Sequence, residues 1–77
     1  MEVNVLFFGV LAEVTKIGIK VYRNIKSIAE LKLMVTDDFP EIAHYKFRIS
    51  VNREFVLDDV ELKNGDEVAF LPPFAGG

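Results

Sequence analysis

One stretch of this chain has a helical period, and most of what surrounds it has a period of two. Ser27-Ile28-Ala29-Glu30 is a capping box: the Ser27 hydroxyl is set to accept from the Glu30 amide while the Glu30 carboxylate reaches back. Ile28, Leu31, Met34 and Val35 follow at helical spacing and make one apolar stripe. Pro40 disfavours helical geometry at Phe39, so the helix is expected to stop near Asp38. Asp37 and Asp38 then fall at the negative end of the helix dipole, where a solvated face is the default. A single helix with one stripe can cover one face of one partner layer, and the flanking alternation makes that layer a sheet.

Residues 2–8 alternate, with Val3, Val5 and Phe7 on one face and Glu2 and Asn4 on the other. Leu6 and Phe8 break the pattern, being apolar on the face that should be wet. Residues 10–15 read as a connection. Residues 16–22 alternate again, with Ile17, Ile19 and Val21 inward, Lys16 and Lys20 outward, and Gly18 a candidate bulge. After a loop or short turn over 41–46, Phe47, Ile49 and Val51 alternate with Arg48 and Ser50. Asn52-Arg53-Glu54 is a turn and Phe55-Val56-Leu57 a short strand, followed by a polar connection with Val60 and Leu62 tucked beneath it. Asn64-Gly65 marks a tight turn. Residues 67–71 form the last strand, with Val68 and Phe70 inward.

The helix crosses between a hairpin and the later strands, so the first and last strands can lie side by side at the sheet centre. The expected fold is an α+β roll: a mixed sheet of four to five strands packed on one main helix. Its other face would carry the misfits Leu6, Phe8, Phe55, Ala69 and Leu71. With the end strands as neighbours, Phe8 and Leu71 would meet where the chain leaves the sheet. Residues 1–71 make the domain and residues 72–77 a separate tail.

Composition narrows the chemistry. The chain has 77 residues, near the size where one core is only just sufficient. Apolar residues make up 51% of it and include seven Phe, enough to pack without staples. The absence of Cys excludes disulfides, thiolate metal sites and a cysteine nucleophile. The one His, His44, builds neither a metal site nor a triad alone. A formal charge of −3 with no basic run makes nucleic acid a poor partner. No apolar stretch approaches the roughly 18 residues of a membrane span and no signal peptide is visible, so a soluble, cytoplasmic protein is expected. Asp58, Asp59, Glu61, Asp66 and Glu67 sit on turns without the spacing of a calcium loop. They read as a solvated acidic face that can steer a basic partner. The folded part has no catalytic constellation of its own, no expected metal site and no bound cofactor.

The tail, Leu71-Pro72-Pro73-Phe74-Ala75-Gly76-Gly77, is different. Two prolines fix φ and remove two amide donors, so the strand must end at Leu71 and the chain leave as polyproline II. Gly76 and Gly77 have no Cβ, so backbone and carboxylate can pass a narrow channel. The reach from Pro72 to Gly77 is at most about 20 Å. Ordering six residues costs roughly 6–12 kcal/mol, whereas burying Phe74 contributes only about 2–3 kcal/mol. The tail cannot hold itself in a partner, so an apolar patch at its root must dock as well.

Val5-Leu6-Phe7-Phe8, Asn64-Gly65-Asp66-Glu67-Val68-Ala69-Phe70-Leu71-Pro72-Pro73 and the terminal Ala75-Gly76-Gly77 closely resemble the small subunit of molybdopterin synthase, a ubiquitin-like sulfur carrier of the β-grasp fold. The likeness spans the whole chain, including the capped helix after the second strand and Val51-Asn52 before a short strand. It implies that an E1-like enzyme uses ATP to adenylate the carboxylate of Gly77. A sulfur donor such as a cysteine desulfurase or rhodanese-like protein then makes a thiocarboxylate there. Inside the large subunit of a heterotetramer, that sulfur passes to cyclic pyranopterin monophosphate, building the dithiolene that holds molybdenum or tungsten. The chain would thus be the sulfur-donating part of a sulfurtransferase complex. Gly76 and Gly77 match the reactive end; Phe8, Phe55 and Leu71, with Phe74 and Ala75 in the tail, match partner-facing positions. A thiolate-like sulfur is the better nucleophile near neutral pH, and a chain without Cys carries transferable sulfur only on its own terminus. The segment Gly9-Val10-Leu11-Ala12-Glu13 departs from the family in lacking the arginines often found there, which puts one contact with the activating enzyme in question.

Two other readings stand beside this one. Within the same fold, the chain could serve thiazole synthesis or tRNA thiolation, or be conjugated to lysines as a modifier. From another class comes a passive ubiquitin-like interaction domain with an idle tail. The Pro72-Pro73 pair leans toward molybdopterin synthase, since thiazole carriers usually lack it.

Overall fold

In the computed structural model, which describes residues 1–73, the elements run β1 (Glu2–Phe7), α1 (Val10–Thr15), β2 (Ile19–Arg23), α2 (Ile28–Asp38), a 3₁₀ turn (Pro40–His44), β3 (Arg48–Val51), β4 (Glu54–Val56) and β5 (Glu67–Leu71). The strands form one mixed sheet of order β2-β1-β5-β3-β4. β1 and β5 pair in parallel at its centre, Val5 opposite Val68 and Phe7 opposite Phe70. All other neighbours are antiparallel. This is the α+β roll that the residue pattern predicts, in the β-grasp arrangement that the family resemblance implies.

The core lies between the sheet and α2. Val3, Val5 and Phe7 of β1 and Val68 and Phe70 of β5 are buried against Ile28, Leu31 and Val35 of the helix. Met34, expected on the stripe, is exposed, because three residues per two turns suffice for a helix covering so small a sheet. Phe70 anchors the layer, with the rings of Phe7 at 5.5 Å and Phe47 at 5.1 Å.

The α2 start is held more firmly than a capping box alone provides. Ser27 Oγ accepts from the Glu30 amide at 3.3 Å, and the Glu30 carboxylate reaches back to the Lys26 amide at 2.9 Å. Asp59 Oδ1 accepts from the Ala29 amide at 2.8 Å, a favourable place for a carboxylate at a helix N-terminus. Asp59 is therefore a capping residue rather than part of a solvated acidic face. Asp66 is likewise engaged, accepting from Asn52 Nδ2 at 3.0 Å and the Lys63 amide at 2.7 Å. The helix ends at Phe39, whose amide still donates to the Val35 carbonyl at 2.8 Å just before Pro40.

Further expectations change. Residues 10–15 are a helix, not a plain connection; Thr15 Oγ1 donates to the Leu11 carbonyl at 3.0 Å and Lys16 closes the helix at φ +63°. β2 presents the opposite face from the one read. Ile19 and Val21 are 58% and 42% exposed while Tyr22 is buried, and Gly18 precedes the strand instead of bulging it. The cause is Asp38. Its Oδ2 accepts from Lys20 Nζ at 2.7 Å and from the Tyr22 hydroxyl at 2.9 Å, and Lys20 lies over the rings of Tyr22 and Phe39. A lysine whose stem lies on aromatic surface is satisfied facing the helix layer, which turns Ile19 and Val21 outward. Asp38 is thus a tie between α2 and β2, not an idle charge at a dipole's wrong end. Finally, the hairpin of β3 and β4 turns on Asn52 and Arg53, both at positive φ (49° and 72°), as two-residue hairpin loops require. That shifts β4 to begin at Glu54 and leaves Leu57 outside it.

No helix among the described residues is long and apolar enough to cross a membrane.

Candidate functional site

The register places one residue from each strand in a row across the outer sheet face: Ile19, Leu6, Ala69, Ser50 and Phe55. Four of the five are apolar, and the fifth, Ser50, is buried. Neighbours widen the row. Val21 lies two residues along β2, and Leu71 lies two residues along β5, opposite Arg48. The Phe8 amide donates to the Phe70 carbonyl at 3.1 Å, so Phe8 carries on the β1–β5 pairing past the strand end. Phe8 and Phe55 are 44% and 50% exposed.

Leu6, Phe8, Ser50, Arg53, Phe55, Glu67, Ala69 and Leu71 together line a shallow hollow of about 400 Å³. The five misfits of the sequence therefore form one surface. Isolated exposed apolar residues are ordinary; a contiguous set is what marks a docking face. β2 adds Ile19 and Val21, which sequence reasoning had turned inward. What could have revealed them is the pair Lys20 and Asp38, a charge match across the helix layer.

The rim is charged. The Arg48 guanidinium stands 4.4 Å from the centre of the Phe55 ring, a contact worth about 0.5–1 kcal/mol where exposed. Arg53 Nε lies 3.8 Å from Glu67 Oε1, an exposed pair of little energetic weight. The Glu67 amide donates to Asn52 Oδ1 at 3.0 Å, which fixes the hairpin turn beside the last strand. Neither arginine was singled out by the sequence; both follow only from the register.

At the other end of the hollow the chain leaves the sheet. β5 stops at Leu71, as the two prolines demand, and Pro72 lies half-buried against Gly9. Phe74, Ala75, Gly76 and Gly77, named from the sequence as tail contacts and reactive end, lie outside the described residues. The structure thus brings Phe8, Phe55 and Leu71 to one surface and sets the root of the tail at its margin. Such an arrangement can bind an apolar partner face.

A profile of the ThiS family matches residues 5–77. Among solved structures, SAMP1 from Haloferax volcanii superposes with a TM-score of 0.85 at 18% identity, covering 100% of both chains. The small archaeal modifier protein 1 from Methanosarcina acetivorans gives 0.82 at 26% identity, over 99% of this chain and 96% of that one. A chain in the protein-protein complex of subunits 1 and 2 of the molybdopterin-converting factor from Helicobacter pylori gives 0.77 at 26% identity over 100% of both chains.

Proposed function

The chain belongs to the ThiS family, its fold is that of ubiquitin-like sulfur carriers and modifiers, and from that premise we propose that it is the sulfur-carrying small subunit of a molybdopterin synthase. The observation that carries this reading is the apolar hollow of Leu6, Phe8, Phe55, Ala69 and Leu71 at the root of the tail. Six tail residues cost roughly 6–12 kcal/mol to order, more than Phe74 offsets, so a carrier of this kind needs a docking face where its tail begins.

In this reading the carboxylate of Gly77 attacks the α-phosphorus of ATP on an E1-like enzyme and releases pyrophosphate. The terminal sulfur of a persulfide on a cysteine desulfurase or rhodanese-like protein then displaces AMP to give an acyl disulfide, and a second thiol cleaves it, leaving a thiocarboxylate on Gly77 and a disulfide on the donor side. The domain docks through Phe8, Phe55 and Leu71 on a large subunit, Phe74 and Ala75 line the entry, and Gly76 and Gly77 pass inside. There the thiocarboxylate sulfur bonds to cyclic pyranopterin monophosphate, and water cleaves its bond to the Gly77 carbonyl, restoring the carboxylate. The complex of subunits 1 and 2 from Helicobacter pylori supports a large-subunit partner.

The experiment is mass spectrometry of the protein purified from its own cells, with complementation of a strain lacking the small subunit. The expected result is a species with one terminal oxygen replaced by sulfur, and restored molybdenum-cofactor synthesis. Deleting Gly77 should leave the fold intact and abolish both; retained activity in that variant would contradict the mechanism. The likeness to small archaeal modifier protein 1 favours a second reading, in which Gly77 is conjugated to lysines. Failed complementation together with lysine conjugates would decide for it. Finding neither thiocarboxylate, adenylate nor conjugate leaves only a passive domain.

A further inference from the structure

Gly9 stands where β1 ends and α1 begins, at φ +57° and ψ −134°, in territory that is essentially glycine's alone. That accounts for a glycine locally. A second observation is independent of it. A Cβ on Gly9 would lie 2.9 Å from Cγ and 3.6 Å from Cδ of Pro72, the first closer than non-bonded carbons come. The space a side chain would fill is already taken by the ring of the first residue after β5.

We propose that Gly9 is a positioning residue for the tail: its bare α-carbon seats the Pro72 ring, and the seat sets the direction in which residues 73–77 leave the domain. The reasoning is geometric. The β1–β5 pairing runs one step past β1, through the Phe8 amide and the Phe70 carbonyl, so the start of the exit is pinned. Proline fixes φ at Pro72 and again at Pro73. Contact with Gly9 restrains the ring itself, leaving few soft torsions at the base of the stalk. The seat sets the starting direction of everything that follows Pro73, so a changed exit lowers the fraction of docked chains whose end arrives where it can react. Misplacement by even about 1 Å can cost on the order of a hundredfold in rate. Docking uses the hollow, so the seat governs turnover rather than affinity. The functional half of this inference rests on the carrier reading.

The test uses the full chain with Gly9→Ala, Pro72→Ala and the double variant. Residual dipolar couplings of the Cα–Hα bonds of Pro72 and Pro73 report the exit direction. They are expected to change in Gly9→Ala while those of β1, β3 and β5 do not. With the source organism's own E1-like enzyme and ATP, adenylation of Gly77 should lose about tenfold or more in kcat, with KM within about twofold. Because one space is contested, the double variant should perform like Pro72→Ala alone, not as the product of both losses. Unchanged couplings in folded Gly9→Ala, multiplying losses, or a loss confined to KM would overturn the proposal. Should the strained φ unfold Gly9→Ala, then Pro72→Ala decides: the seat requires the Gly9 and Val10 amide signals and the Pro73 coupling to shift, and wild-type values sink it. A wild-type chain that accepts no adenylate defeats the carrier reading, while the couplings still decide the seat.

Discussion

The two faces of the sheet are built from the same kinds of residue and meet opposite fates. On the inner face Val3, Val5, Phe7, Val68 and Phe70 are covered by α2 and lose nearly all contact with water. On the outer face Ile19, Val21, Leu6, Phe8, Leu71 and Phe55 have no such cover, although Ala69 and Ser50 between them are buried by their neighbours. The chain has one long helix to spend on two apolar faces. Hydrophobicity alone thus does not separate the core from an exposed apolar face; what separates them is whether the rest of the chain can reach.

The contrast is open to attack at several points, the strongest first. Phe70→Ala should cost about 3–5 kcal/mol of stability, because the ring is fully enclosed and touches Phe7 and Phe47; urea unfolding measures it. A loss below about 1 kcal/mol would mean that the inner layer is not the core. On the outer face Phe8→Lys should weaken binding to a large subunit by about tenfold or more, the scale of a central contact residue, and change unfolding by about 0.5 kcal/mol or less. Titration calorimetry and thermal melts separate the two. Unfolding by this change would put Phe8 in the core. Ile19→Lys sharpens the same comparison, since a loss of binding there extends the contact surface to β2, and none confines it to the hollow.

The smallest effects concern the tie that holds β2 in its orientation. Asp38 is held below the ordinary carboxylate range by hydrogen bonds from Lys20 and then Tyr22. Its stabilising contribution is present above the ordinary value of 3.8 and lost as pH falls toward the depressed one. Tyr22 is pushed far above its ordinary 10.0 by burial, then by its bond to Asp38. Its contribution is complete below 10.0 and lost as pH rises toward the raised value. Chemical unfolding should find Tyr22→Phe less stable than the wild type by about 1 kcal/mol at neutral pH, with the gap closing above pH 10. For Asp38→Asn the gap should be smaller and close in acid below about pH 3.8. Flat differences across pH would remove the tie as the reason for the face of β2.

Much of this was legible in the residues. Val3, Val5 and Phe7, then Val68 and Phe70, alternate because one cover lies over one side, and Ser27 with Pro40 brackets α2 almost to the residue. Asn64-Gly65 and Pro72-Pro73 marked a turn and a strand end through backbone chemistry that no tertiary contact overrides. The failures have separate causes. β2 was turned over because Ile19 and Val21 look like core residues and Lys20 does not, until Asp38 is brought across from α2. α1 escaped notice because six residues are too few to show a period and its cap, Gly9, offers no side-chain signal. Arg48 and Arg53 joined the site only through a register that the sequence does not encode locally. The outer misfits could be listed from the pattern, but their contiguity depended on strand order.

The parallel union of β1 and β5 at the middle of the sheet has a mechanical consequence. Traction on the chain beyond Leu71 acts along the axis of β5, whose hydrogen bonds to β1 on one flank and β3 on the other are loaded together in shear. Strands pulled this way slide as a block or not at all, whereas an edge strand peels one bond at a time. The domain is therefore suited to bearing a load applied at Leu71 without coming apart.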